Sequence, residues 1–403
     1  MTKLPLEGMR VTDFCHGWAG PYMTNLLADF GAEVIKIESS KNPDARRQDP
    51  ELLKKGIRGN FSLVEFSRNK KGITLNMKHH EAVELAKRLI KISDVVTENF
   101  SLRVMKSWGL DYENIKKIKP DIIMASLQGL GQTGPHREYL TWGPNLMPLM
   151  GMTYEWGFPD TPRPIGTKAA YPDFIAGSHG AVAIMAALHY RKRTGKGQYI
   201  DLAQLEATAA CMPIVLLDYT VNGRIQERIG NRNRYFAPQG CYRCKGDDQW
   251  CVISIPTQEK WERFCQAIGN LLWTKDERFA TILGRVKHAD RLDQFIENWT
   301  INLTPQEVMQ TLQEAGIAAG PVYDAIGVLH DPHLKERDFF VNLEHPDIGT
   351  VTHPNVPMKL SETPGALRMP IPRLGEHNDY VFGELLGLPK EEIERLERDE
   401  VIV

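Results

Sequence analysis

Hydrophobic and polar positions alternate along the first 200 residues in a way that predicts strands and helices in turn. Residues 9–15 read as a strand. A turn at 17–21 follows, then a helix over 22–30 with Leu26, Leu27 and Phe30 on one face. Gly31 stops that helix, and 33–37 is a second short apolar run. Strand, helix and strand in this order predict a βαβ unit, hence a parallel sheet with a right-handed crossover. Two further buried strands are expected at 93–97 and 121–126, each preceded by a helical stretch (80–92 and 112–117). A strand-like run at 73–77 follows the basic turn 69–72. The pattern is that of a doubly wound, Rossmann-like α/β domain.

A long helix is predicted from Asp173 to about 191, then a short strand at 198–202 and a helix over 203–219. The texture changes near Asn222 and Gly223. Residues 224–325 predict a smaller α+β domain. From 341 to 375 six prolines break any helical pattern, which predicts a long extended connector. Two helical stretches, 380–386 and 390–397, close the chain and are expected to return to the first domain. The expected domains are therefore 1–223, 224–325, and 326–403 as connector and returning helices.

Composition narrows the function little. The chain has 403 residues, a net charge of −2 with both signs interspersed, and six scattered cysteines. Nothing in it favours nucleic acid, a membrane surface or a disulfide framework. The amino terminus lacks a signal-like apolar stretch, and the longest apolar runs are too short to cross a bilayer. A soluble, cytoplasmic protein is expected. Cys241 and Cys244 have metal-like spacing but lack a second pair nearby, so no metal site is expected. The first turn, Gly17 to Pro21, lacks the G-x-G-x-x-G spacing of a dinucleotide site, and Pro21 removes an amide that would face a pyrophosphate. No serine-hydrolase elbow or H-E-x-x-H pattern occurs.

Asp173 is the most informative residue. It stands behind a proline at the start of the long apolar helix. Such a carboxylate is an ordinary N-cap, or an exposed nucleophile that the helix terminus keeps ionised. The segments that follow predicted strands are Glu98-Asn99-Phe100 and the glycine-rich loop 128–135. Both belong to the edge of an α/β sheet that faces ligands. The turn 69–72, Asn-Lys-Lys-Gly, reads as solvated.

In order, these blocks resemble the class III, formyl-CoA transferase-like CoA-transferase family. The resemblance runs from 5–14 through 19–21, 27–38, 69–73 and 96–100. It continues at 129–135, Asp173, 195–202, 318–321 and 374–377, and so covers nearly the whole chain. It implies a Rossmann-like large domain and two subunits interlocked as linked rings, as a homodimer or a homologous heteromer. The implied partners are an acyl-CoA and a carboxylic acid. No cofactor beyond coenzyme A as substrate, and no metal, is implied.

By the same resemblance Asp173 is the catalytic carboxylate, passing through aspartyl anhydride and aspartyl-CoA thioester intermediates. His16, Gly17, Trp18, Leu75, Lys78, Asn99, Phe100 and Trp142 are the implied CoA- and substrate-binding residues. Lys78 suits a phosphate as a mobile ammonium. The sequence departs from the formyl-CoA transferase pattern at Ser39 and Ser107, where arginines are expected, and at Trp18, where a glutamine is. Residues 233–236, Asn-Arg-Tyr-Phe, replace a mobile glycine run. These changes argue against oxalate as acceptor and for a bulkier acid. The block from Trp142 to Asp173 resembles that of enzymes moving CoA from succinyl-CoA to aryl- or alkylsuccinates. Two alternatives stay open: an α-methylacyl-CoA racemase-like enzyme, although the region of Trp142–Asn145 lacks the racemase histidine, and a non-catalytic acyl-CoA-binding subunit of a heteromer.

Overall fold

The structure, a computed structural model, describes residues 4–44, 47, 65–161, 163–166 and 169–403. They divide into two compact units. The first comprises residues 1–153, 166–224 and 335–403, the second 154–165 and 225–334. The second unit thus takes in a short insertion, 154–165, from within the first half of the chain, which the sequence pattern did not announce.

The first unit is built on six parallel strands: β1 (Arg10–Asp13), β2 (Glu33–Glu38), β3 (Lys70–Thr74), β4 (Val95–Glu98), β5 (Ile123–Gln128) and β6 (Tyr199–Ala203). Their order is β3-β2-β1-β4-β5-β6, so the strand order reverses between β1 and β4. That is the doubly wound arrangement, in which ligands bind beyond the carboxyl ends of the strands at the reversal.

Helices cover both faces. On one side α1 (Ala19–Asp29) packs with β1, β5 and the later long helix Tyr171–Thr194 around Met23, Leu27, Leu127 and Ile184. On the other, α2 (His80–Lys91) and α3 (Tyr112–Ile118) enclose Phe14, Ile35, Ile73 and Val96. The returning carboxyl-terminal segment joins that second core through Val381, Phe382, Leu388, Ile393 and Leu396. Tyr380 anchors it further by donating its hydroxyl to Glu33 at 2.6 Å.

A short helix α4 (Gly143–Leu149) precedes α5 (Tyr171–Thr194), and α6 (Gln204–Ala209) and α7 (Pro213–Asn222) follow β6. The single helix expected over 203–219 is two, because Pro213 has no amide to continue α6 and instead occupies the first position of α7. The strand expected at 73–77 is displaced to Lys70–Thr74. Lys70 is not solvated: it is fully buried and donates to Pro21 O (2.9 Å), Thr24 Oγ1 (2.7 Å) and Asp13 Oδ2 (3.3 Å). The expected extended connector begins as an antiparallel hairpin, Phe340–His345 with Gly349–Pro354. Its prolines fall outside the ladder or at its last residue, where a missing amide costs least.

The second unit holds a three-stranded antiparallel sheet, Gln239–Arg243, Trp250–Ser254 and Ala318–Pro321, with the middle strand in sequence also in the middle of the sheet. Helices around it bury Trp261, Phe264, Phe279, Leu292 and Val308. Tyr235, in the segment that replaces the glycine run, lies in this unit and is largely exposed. Among the described residues no helix is long and apolar enough to cross a membrane.

Candidate active site

The carboxyl edge of the parallel sheet gathers most of the sequence-predicted residues. His16, Gly17 and Trp18 follow β1, and Asn99 and Phe100 follow β4, so the two groups flank the reversal of strand order. The Asn99 side chain closes that crevice. Its Oδ1 accepts from His16 N at 2.9 Å and its Nδ2 donates to His16 O at 2.7 Å. The rings of His16 and Phe100 meet edge to face at 5.3 Å. Burial, with Lys36 close by, pushes the His16 imidazole below its ordinary pKa, so it is neutral at pH 7.

The amides of Cys15, His16 and Gly17 in the turn after β1 are all taken up within the protein. Cys15 N donates to Asp13 Oδ1 at 3.0 Å, and Cys15 O accepts from Lys36 Nζ at 2.7 Å. Gly17, with φ of +76°, points its amide at the Asp44 carboxylate, 3.1 and 3.3 Å away. Asp44 in turn pairs with Lys36 at 3.2 Å, both side chains fully buried. An internal carboxylate therefore takes the amide that dinucleotide-binding turns present to pyrophosphate. Glu38 completes this charged group. Although burial opposes ionisation, Lys36 and Arg47 hold its carboxyl down at about 2, with Arg47 bonded to both oxygens at 2.8 and 2.7 Å.

Asp173 sits in the first turn of α5, but Ala170 is the N-cap. The carboxylate is therefore not the cap, and with 9% of its surface accessible it is not an exposed group either. Its own amide donates to Ala170 O at 3.0 Å. Pro172, one position earlier, occupies a site where a missing amide leaves no intrahelical bond unmade. The first turn of a helix stabilises negative charge. The Oδ2 atom rests against Gly143: a Cβ built there would lie 2.1 Å from it.

The next residue, Phe174, locks this turn in place. Its ring meets Trp18 (5.8 Å), Tyr22 (5.1 Å) and Phe66 (5.7 Å) edge to face. Such pairs add about 0.5–1.5 kcal/mol each beyond burial. One turn on, Gly177 lets α5 approach α1, since a Cβ there would stand 2.7 Å from Tyr22 and 2.9 Å from Ala19 O. Trp18 is thereby brought to the Asp173 turn. Trp142, beside Gly143, is the exposed N-cap of α4, and its amide donates to Asn145 Oδ1 at 2.5 Å.

Leu75 and Lys78 lie beyond β3, the edge strand, two inter-strand spacings or about 10 Å from β1. The Leu75 side chain belongs to the core and its amide donates to Glu38 O at 2.8 Å, so that side chain presents no binding surface. Lys78 is exposed, with its ammonium open to an anion. Sequence reasoning missed Asp44, Phe66 and Phe174. It also missed Gly143, although its place next to Trp142 in the quoted block was the available signal.

Comparison with known proteins resolves what this geometry belongs to. Residues 6–378 match the model of CoA-transferase family III. The chain belongs to that family. It is 36% identical over 99% of its length to the succinyl-CoA–D-citramalate CoA-transferase of Chloroflexus aurantiacus, 98% of which is covered. It is 34% identical over its full length to the succinyl-CoA–L-malate CoA-transferase beta subunit of the same organism, 99% of which is covered. A solved CAIB/BAIF family protein from Brucella suis superposes with a TM-score of 0.87 at 30% identity, covering 95% of this chain and 100% of its own. The transferase thus acts on an acyl-CoA and a carboxylate, and the doubly wound unit is the family's fold.

Proposed function

We propose that the transferase moves CoA from succinyl-CoA to a dicarboxylic acid of the succinate type, with Asp173 as the covalent nucleophile. The observation that carries this is the Asp173 turn: a carboxylate at a helix start, set against Gly143 and framed by Trp18 and Phe174. An Asp173 oxygen attacks the thioester carbonyl carbon. The C–S bond breaks, leaving a mixed anhydride and CoA thiolate. The thiolate attacks the aspartyl carbonyl, releasing succinate and forming an aspartyl-CoA thioester. The acceptor carboxylate then displaces the thiolate to form a second anhydride. Attack of the thiolate on the acceptor carbonyl yields the new acyl-CoA and restores Asp173.

Two relatives named for citramalate and malate transfer from succinyl-CoA support the donor and the dicarboxylate class. Within that class, the aromatic group of Trp18, Phe66 and Phe174 and the exposed Trp142 favour an acceptor carrying an alkyl or aryl substituent. His16, Asn99 and Phe100 would contact CoA at the strand reversal, and Lys78 a phosphate. The partner is a second copy of the chain or a homologous subunit. Its seat includes α7, where Ile214, Leu217 and Val221 are 73, 59 and 75% exposed while Asp218 is buried. A helix inverted in this way needs a partner for its apolar face.

A panel of malate, methylmalate, phenyl- and benzylsuccinate, with oxalate and a simple monocarboxylate such as propionate for comparison, against succinyl-CoA tests the reading. Transfer to at least one substituted succinate, well above that to oxalate, is expected. Preference for a monocarboxylate would overturn the acceptor class.

A further inference from the structure

We propose that Glu98 and Gln128 are positioning residues for acyl-CoA, gripping the Phe100 peptide from both sides and fixing the loop after β4. The proposal rests on the reading of His16, Asn99 and Phe100 as CoA contacts. Glu98 Oε2 accepts from Phe100 N at 2.9 Å, and Gln128 Nε2 donates to Phe100 O at 3.1 Å. The same Nε2 donates to Glu98 Oε1 at 2.7 Å, which closes the clasp between the ends of β4 and β5. The amide orientation of Gln128 is settled by its neighbours. Turned over, its oxygen would face a carboxylate and a carbonyl. Phe100 held in this way wedges its ring between His16 (5.3 Å) and Trp108 (5.6 Å), and Asn99 clamps the His16 backbone.

The clasp also explains why an acid stands at 98. The side chain is 2% exposed and, among the described residues, no lysine or arginine pairs with it. A buried carboxylate without a cation is costly. An acceptor-only group can take both Phe100 N and Gln128 Nε2, whereas an amide at 98 would turn an NH2 against one of them. Burial pushes the Glu98 carboxyl above its ordinary value, with hydrogen bonds from Gln128 and Phe100 N opposing and Asp201 reinforcing. The small cavity beside it, about 40 Å³, is also lined by Lys106, Asp111, Tyr112, Ser126 and Tyr199. Burial raises the Tyr199 phenol to about 12, so it does not titrate near neutrality.

Steady-state kinetics with succinyl-CoA and hydrogen exchange, on full-length wild type, Glu98→Gln and Gln128→Leu, test this. Each variant is expected to raise the KM for succinyl-CoA about tenfold, the effect of one hydrogen bond to a charged group, with kcat and the acceptor KM little changed. The Phe100 amide should exchange at least about tenfold faster, with other regions unaffected. The double variant should be no worse than either single, because one clasp is lost once. A group with a raised pKa contributes stability that is complete below its unfolded value and lost as pH rises through the folded one. The wild-type melting temperature should therefore fall through that window, and that fall should be absent in Glu98→Gln. A folded Glu98→Gln with unchanged KM and unchanged Phe100 exchange overturns the proposal. If Phe100 exchange quickens but wild type itself neither binds nor transfers CoA, the transferase reading fails instead.

Discussion

A methyl group at position 143 would stand 2.1 Å from Asp173 Oδ2, well inside any real contact. Gly143→Ala must therefore move the carboxylate or the backbone that carries it. A displacement of about 1 Å at a reacting group costs on the order of 100-fold in rate. We expect Gly143→Ala to lose at least about 100-fold in kcat while its melting temperature stays near that of wild type. Full activity in that variant would separate Asp173 from the reaction. The reading of Asp173 as a nucleophile came only from the order of the blocks around it, since its neighbours alone suit an N-cap. Its burial was not legible, because it depends on Gly143, 30 residues away, and on the Phe174 ring meeting Trp18 and Phe66. Lys36 and Lys70 show the same limit. Lys70 reads as part of a solvated turn, and the burial of both becomes plain only when Asp44 and Asp13 arrive from other parts of the fold to neutralise them.

At the scale of elements, the parallel strands were largely legible because a strand buried on both faces reads as an apolar run. The displaced one, β3, begins with a lysine whose partners lie on β1 and α1. The hairpin at 340–354 was hidden by its prolines, and the division of α6 from α7 was announced by Pro213 but needed the structure to place it. The end of β2 yields a prediction of its own. Glu38, held down at about 2 by Lys36 and Arg47 against the cost of burial, contributes stability that is complete above the ordinary carboxylate range. That contribution is lost as pH falls toward about 2. Two to three pKa units correspond to about 3 kcal/mol. Denaturant unfolding should therefore show Glu38→Gln less stable by about that much at pH 7. The gap should narrow steadily below pH 4. A gap independent of pH would mean that packing rather than charge holds β2 to Arg47.

For the whole molecule, the sequence pattern predicted continuous domains at 1–223 and 224–325, whereas the second compact unit draws residues 154–165 from an earlier part of the chain. A discontinuous domain leaves no mark in a local pattern of hydrophobicity. The apolar face of α7 carries the prediction at this scale. Sedimentation of wild type should give a dimer or larger species. Leu217→Glu combined with Val221→Glu, which places charges where side chains are 59 and 75% exposed, should shift it toward monomer without unfolding the doubly wound unit. An unaltered oligomer would place the interface elsewhere. The central claim is that the acyl group passes through Asp173. Intact-mass and peptide analysis of the enzyme after mixing with succinyl-CoA, with and without hydroxylamine, tests it most directly. We predict an adduct on the peptide that carries Asp173, released by hydroxylamine and absent in Asp173→Ala, which should also lack transferase activity. An Asp173→Ala enzyme that transfers CoA at the wild-type rate would contradict the account.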